Sequence, residues 1–217
     1  LKHPITLIVL WTWQHTPALQ ARLKPTFNQV FEQVVVINLA KRPDRMAQIK
    51  AQLDAHKIMF ERFEAIDGQE LGITGVAACA LSHRAVIEKY KDCQSLFIFE
   101  DDAELDPNFK QLWDVFITNL PDDWQMVYLG CNRVKSEAIA NGVDRLLLGI
   151  TTHAYGAKQS VFDSMIDASK RAEAIDLSYM QLQVSVPTYV AVPTMVGQVP
   201  GFSDIEQRFT DYRYVLG

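Results

Sequence analysis

A short apolar run, Leu96-Phe97-Ile98-Phe99, ends directly on three consecutive acids, Glu100, Asp101 and Asp102. The run is aliphatic and aromatic, too short for a helix, and reads as a strand buried on both faces. Such a strand belongs to a sheet covered on either side. Acids at its carboxyl end stand where open α/β sheets bind ligands. Three adjacent carboxylates repel one another, so one geometry for all of them is costly without a cation. Hard divalent ions such as Mg²⁺ or Mn²⁺ take carboxylate oxygens and keep positions open for phosphate. The triplet therefore reads either as a metal–diphosphate site or as an acidic turn before the next helix.

The rest of the chain alternates between strand and helix patterns. Strands are predicted over residues 5–11, 34–39, 59–63, 96–99, 126–129, 151–157 and 189–192. Helices are predicted over 17–31, 43–55, 76–90, 106–118, 159–171 and 176–183. Pro43 suits a first helical turn, and Met46, Ile49 and Leu53 then share a face. Thr74 is placed to cap the helix that follows it. Pro25 weakens the helix over 17–31. Residues 134–143 read as loop or irregular helix, and the tail, 193–217, as loop lying over the site. This alternation implies a mostly parallel sheet flanked by helices. No composition break divides the chain, so one domain of 217 residues is expected, with residues 1–31 as an added strand and helix.

A net charge of -5 argues against a nucleic-acid surface. Cys79, Cys93 and Cys131 form no C-x-x-C pair, so neither a zinc knuckle nor a disulfide framework is indicated. The apolar run at 5–11 is far too short to span a membrane. No Gly-rich phosphate loop is present, which counts against P-loop kinases and dinucleotide oxidoreductases. The segment Asn38-Leu39-Ala40-Lys41-Arg42-Pro43-Asp44-Arg45 leads from a parallel strand into a helix, a natural nucleotide site. Arg42 and Arg45 could hold a diphosphate by forked hydrogen bonds, or one of them could pair with Asp44.

Four segments in order resemble glycosyltransferase family 25. They are Val36-Ile37-Asn38-Leu39 with Arg42-Pro43-Asp44-Arg45; Ala65-Ile66-Asp67-Gly68; Cys79-Ala80-Leu81-Ser82-His83; and Phe99-Glu100-Asp101-Asp102. Fainter echoes are Thr152-His153-Ala154-Tyr155 and Gln198 with Ser203-Asp204-Ile205. The resemblance covers about residues 34–205. It implies a GT-A-like α/β fold, a UDP-sugar donor, a D-x-D-like acidic motif and Mn²⁺ or Mg²⁺. It also implies inverting transfer, often of galactose, to a glycan or glycolipid such as lipooligosaccharide. The family pattern Gly-Glu-x-Gly-Cys is here Gly75-Val76-Ala77-Ala78-Cys79, which keeps open a non-catalytic or altered-specificity relative that binds nucleotide sugar. A nucleotidyltransferase or phosphohydrolase using the same acids is the other enzymatic option. Family relatives work either on the cytoplasmic face of a bacterial membrane or in the secretory pathway; three cysteines without a framework and a compact single domain favour the bacterial, cytoplasmic case, with peripheral membrane association an option.

Within that resemblance, Asp102 is the leading metal ligand, with Glu100 on the same face of an extended chain and Asp101 toward the donor. Asn38, Leu39, Arg42 and Arg45 would line the uridine and diphosphate side. Ser82 and His83 would face nucleotide or sugar, or His83 would be a hydrogen-bonded structural residue. Inverting displacement needs a base for the acceptor hydroxyl. Asp176 is the first choice, although it could equally be a helix N-cap, and Asp204 is the alternate. Trp124 is the acceptor-side aromatic candidate.

Overall fold

The apolar runs pair with one another in the computed structural model, which describes residues 24–170 and 174–211. Strands β1 (Gln33–Asn38), β2 (Glu61–Glu64) and β3 (Ser95–Glu100) form the parallel half of a six-stranded sheet. Strands β5 (Met126–Ala140), β6 (Val143–Lys158) and β7 (Thr188–Ala191) complete it. The order is β2-β1-β3-β6-β5-β7. β6 is antiparallel to β3 and β5, while β7 is parallel to β5. Only β6 opposes the common direction, so the sheet is mixed but mostly parallel, as the strand–helix alternation predicts. The two short strands β4 (Ala103–Leu105) and β8 (Val196–Gln198) pair beside it.

Alternate residues of β1 and β3 feed two cores. Val34, Val36, Phe97 and Phe99 face one side, against Phe27, Phe31, Trp113 and Phe116. Val35, Ile37, Leu96 and Ile98 face the other, against Val86, Ile87, Met165 and Tyr179. Each fully buried Val, Ile, Leu or Phe contributes roughly 1.5–3 kcal/mol.

The first layer is built from helices α1 (Phe27–Val30), α2 (Pro43–Ala55), which buries Ile49 and Leu53, and α5 (Phe109–Asn119). The second is built from α4 (Gly75–Lys89), α6 (Phe162–Ser169) and α7 (Ile175–Ser185). A single turn, α3 (Gly68–Leu71), precedes α4. Thr74 does cap α4, its hydroxyl accepting from the Ala77 amide at 3.2 Å.

Several expectations change. Residues 134–143 are neither loop nor helix: they are the tip of a long β5–β6 hairpin that turns at Asn141-Gly142. Gly142 sits at φ +82°, which an Asn-Gly hairpin turn requires. Beyond Val134 the β5 side of the arm is largely exposed, so no apolar alternation marks it as strand, whereas the β6 side buries Val143 and Leu146 and pairs with β7. Of the helix predicted over 17–31, the described part holds one turn, started by a Thr26–Gln29 capping box after Pro25. The strand at 5–11 lies outside the described residues. The tail is not all loop: it carries β8 and a hairpin of β9 (Gly201–Ser203) and β10 (Arg208–Thr210). Trp124 is buried against Phe31 rather than offered to an acceptor.

Candidate functional site

The carboxyl ends of β1 and β3, the first turns of α2 and α4, and the β9–β10 hairpin enclose a cavity of about 310 Å³. Parallel strands end together, so their following loops converge on one edge. Leu39, Arg45, Ser82, His83, Glu100, Asp101, Asp102 and Asp204 all line it. Gly75 seats the hairpin against α4: a Cβ there would stand 2.8 Å from the Ile205 Cα.

Asn38, expected on the uridine and diphosphate side, is buried behind the cavity and does not line it. Its Nδ2 donates to Asp101 Oδ2 at 2.7 Å and to the Arg42 carbonyl at 2.9 Å, while Arg62 Nε donates to its Oδ1 at 2.8 Å. Asn38 therefore braces the acid motif from behind. Arg45 spans the acids. Its Nη1 donates to Asp101 Oδ1 at 3.0 Å and lies 3.6 Å from Asp102 Oδ2, and its Nη2 donates to the Phe202 carbonyl at 2.8 Å. Arg42 grips Asp44 by two hydrogen bonds and Asp204 by a third, at 2.7 Å. The Asp44 pairing is thus the alternative the sequence offered for Arg42; Arg42 does not itself line the cavity and touches it through Asp204.

Glu100 and Asp102 share the cavity but not their partners. Glu100 Oε1 accepts from the Thr152 hydroxyl at 2.9 Å and lies 3.3 Å from His83 Nε2. Asp102 receives the Gln198 amide at 3.4 Å. Burial works to raise the Glu100 pKa, but the neighbouring His83 and His153 rings and the Thr152 hydroxyl outweigh it, so it sits below its ordinary value. Burial, then the Glu100 charge, push Asp102 the other way, up to about 7. Burial also raises Asp101 against the pull of Asn38 and Arg45.

An acid held this far up is short of positive charge. Gln198 Oε1 beside it is buried without a hydrogen-bond partner among the described residues. Carboxylate and amide oxygens with unspent acceptor capacity form the donor set that a hard divalent ion takes, so Asp102 and Gln198 fit the metal that the resemblance implies.

Ser82 is committed to the backbone: its Oγ donates to the Ala78 carbonyl and accepts from the Ile66 amide. His153 is buried, its Nε2 at 2.9 Å from the Val196 carbonyl. Asp176 is not brought to the site. It does not line the cavity, and its carboxylate accepts from the backbone amides of Thr151 at 3.1 Å and Leu177 at 2.8 Å. Nor is it the helix N-cap, which is Ala174: Asp176 lies in the first turn of the helix and uses its carboxylate on those backbone amides.

Sequence reasoning left Lys41, Asp67, Gln69 and Cys79 without roles, yet all line the cavity. Lys41 pairs with Asp67 at 2.7 Å. The Asp67-Gly68 turn, quoted as a motif, was the signal for the first three, and the Cys79–His83 spacing was the signal for the last.

A family model described as glycosyltransferase family 25 (LPS biosynthesis protein) matches residues 31–74 and 74–147. Inactive glycosyltransferase 25 family member 3 of Mus musculus is 28% identical over 138 residues, which is 49% of this chain and 23% of that protein. Procollagen galactosyltransferase 1 of Danio rerio is 25% identical over 152 residues, 57% of this chain and 25% of that protein. The match thus spans about a quarter of the length of these curated relatives. Among solved structures, a glycosyltransferase involved in the glycosylation of the major capsid of PBCV-1 superposes with a TM-score of 0.43 at 8% identity, over 81% of this chain and 95% of that one.

Proposed function

The chain belongs to glycosyltransferase family 25, and from that premise we propose that it moves a sugar from a UDP-sugar to a glycan or glycolipid acceptor by metal-dependent, inverting displacement. One observation carries the reading: Asp101 and Asp102, at the carboxyl end of β3, share a cavity with Arg45 and Lys41. Acids for a cation and bases for a diphosphate are the two halves of a nucleotide-sugar site.

Asp102 and Gln198 would hold the cation, with Asp101 fixed beside them by Asn38 and Arg45. A divalent cation bound there would supply charge to stabilise the departing diphosphate. Arg45 and Lys41 add to that charge, and the Leu39 backbone offers hydrogen bonds to a base edge. The acceptor oxygen forms its bond to the anomeric carbon from the face opposite UDP. The carbon–oxygen bond to the diphosphate breaks as its electron pair leaves with UDP, and the acceptor proton passes to a carboxylate. Of the two expected bases, Asp204 lines the cavity and Asp176 does not, so Asp204 is our choice.

Galactose is the proposed sugar, in keeping with the name of the Danio rerio relative. A lipooligosaccharide-type acceptor at the cytoplasmic face of a bacterial membrane is the proposed setting, in keeping with the family description.

A second reading has its own observation. The Mus musculus relative is named inactive, and α4 opens Gly75-Val76-Ala77-Ala78 without the acid of the family pattern. On that reading the cavity binds nucleotide sugar without turnover. A screen of UDP-sugars for hydrolysis and transfer in Mn²⁺ separates the two. Release of UDP that is lost in Asp204→Asn supports catalysis with this base. Binding with no UDP release for any sugar supports the second reading.

A further inference from the structure

Cys79 and His83 stand four residues apart on α4, so their side chains share one face. Glu100, from the end of β3, meets them there. One Cys79, one His83 and one Glu100 ligand atom all lie within 4.8 Å of one another. The His83 ring is 1% exposed, and among the described residues its Nε2 has no hydrogen-bond partner. Glu100 Oε1 is near, at 3.3 Å, but not in hydrogen-bond geometry. The other ring nitrogen, Nδ1, is 3.0 Å from the Tyr155 hydroxyl. With Nδ1 donating to that oxygen, Nε2 carries a bare lone pair directed at the Cys79–Glu100 side. Outer partners of this kind fix the orientation of a ligating imidazole, and the Thr152 hydroxyl does the same for Glu100.

We propose that Cys79, His83 and Glu100 form a second divalent-cation site, distinct from the all-oxygen set at Asp102. A thiolate, an imidazole and a carboxylate select zinc over magnesium or manganese. Three protein ligands leave a fourth tetrahedral position, and all three line the cavity, so that position opens into it. Bond lengths of about 2.3 Å to sulfur and about 2.0 Å to nitrogen put tetrahedral ligand atoms about 3.3–3.6 Å apart. The His83–Glu100 separation already matches, and a rotamer-scale movement of Cys79 closes the rest. The thiol proton passes to solvent as the sulfur–metal bond forms. The site does not depend on the nucleotide-sugar reading.

Titration of the metal-free protein with Co²⁺, followed by absorption, tests the proposal. A thiolate-to-cobalt charge-transfer band should saturate at one equivalent, disappear on adding Zn²⁺, vanish in Cys79→Ser and persist in Asp102→Asn. His83→Gln keeps the thiol and should weaken Co²⁺ binding beyond the roughly 10–100-fold that loss of an outer partner brings. Far-UV circular dichroism confirms that the variants are folded. Absence of the thiolate band, its survival in Cys79→Ser, or unchanged Co²⁺ affinity in His83→Gln would overturn the assignment.

Discussion

The two halves of the sheet do different work. In the parallel half, β2, β1 and β3 end side by side, and every turn beyond them contributes to one cavity. In the antiparallel half, β5 and β6 run on as a long hairpin whose β5 strand is largely exposed beyond Val134 while its β6 strand stays paired with β7. Parallel pairing concentrates side chains of distant sequence at one edge, and a hairpin spreads neighbouring residues along its length. The lesson is that charge can be buried on the parallel side because several elements supply partners at once. Asp101 draws on Asn38 from β1 and Arg45 from α2, with no contribution from the arm.

The largest expected effect tests that concentration. Asp102→Asn should abolish transferase turnover by at least about 10²–10³-fold, the scale for losing a group that stabilises transition-state charge. Variants of the arm such as Val134→Ala should keep it, and a UDP-release assay on both makes the comparison.

Stability follows the same division. Phe97→Ala, in the shared core, should cost about 3–5 kcal/mol in urea unfolding. Ile139→Ala, on the exposed arm, should stay within about 0.5 kcal/mol. Comparable losses at the two positions would mean that the arm is packed against something in solution.

pH dependence sharpens the picture of the acid end. The folded-state pKa of Asp102 is raised to about 7, so the native state binds the extra proton between about pH 4 and 7. The metal-free protein should therefore lose stability as pH rises through that window, by ~4 kcal/mol at most. Asp44, lowered to about 2 chiefly by its hydrogen bond from Arg42, acts oppositely: its contribution is present above its ordinary value and fades only as pH falls toward 2. It is largely exposed, so its effect is small. Thermal melts between pH 5 and 8 should show the slope, and Asp102→Asn should flatten it. A slope unchanged by the substitution would place the titrating group elsewhere.

A smaller loss is expected at the arm's turn. Gly142→Ala forces a Cβ into the left-handed region and within 2.7 Å of Val115 Cγ1, and should cost about 1–2 kcal/mol. A neutral result in thermal melts would show that the turn rearranges freely.

What could be read from the sequence tracks the same divide. The buried strands of the parallel half announce themselves as unbroken apolar runs, and the acids and arginines follow them at fixed places. Residues 34–39 and 96–99 therefore predicted both strands and the edge where Arg45 meets Asp101. The arm has no such signal, because the outer residues of β5 are exposed and lose their alternation. Asp176 failed as a cavity residue because an acid at a helix start serves the backbone as readily as a cleft, and one sequence cannot tell the two apart. The Cys79–His83–Glu100 cluster needed a strand end to be carried to a helix face, which spacing alone does not reveal.

The most direct measurement is calorimetric titration with UDP, in Mn²⁺ and then in chelator, for the wild-type protein and for Asp102→Asn. Binding should require the metal and be lost in the variant. UDP binding of equal strength without metal, untouched by the substitution, would contradict the assignment of the acid edge as a metal–diphosphate site.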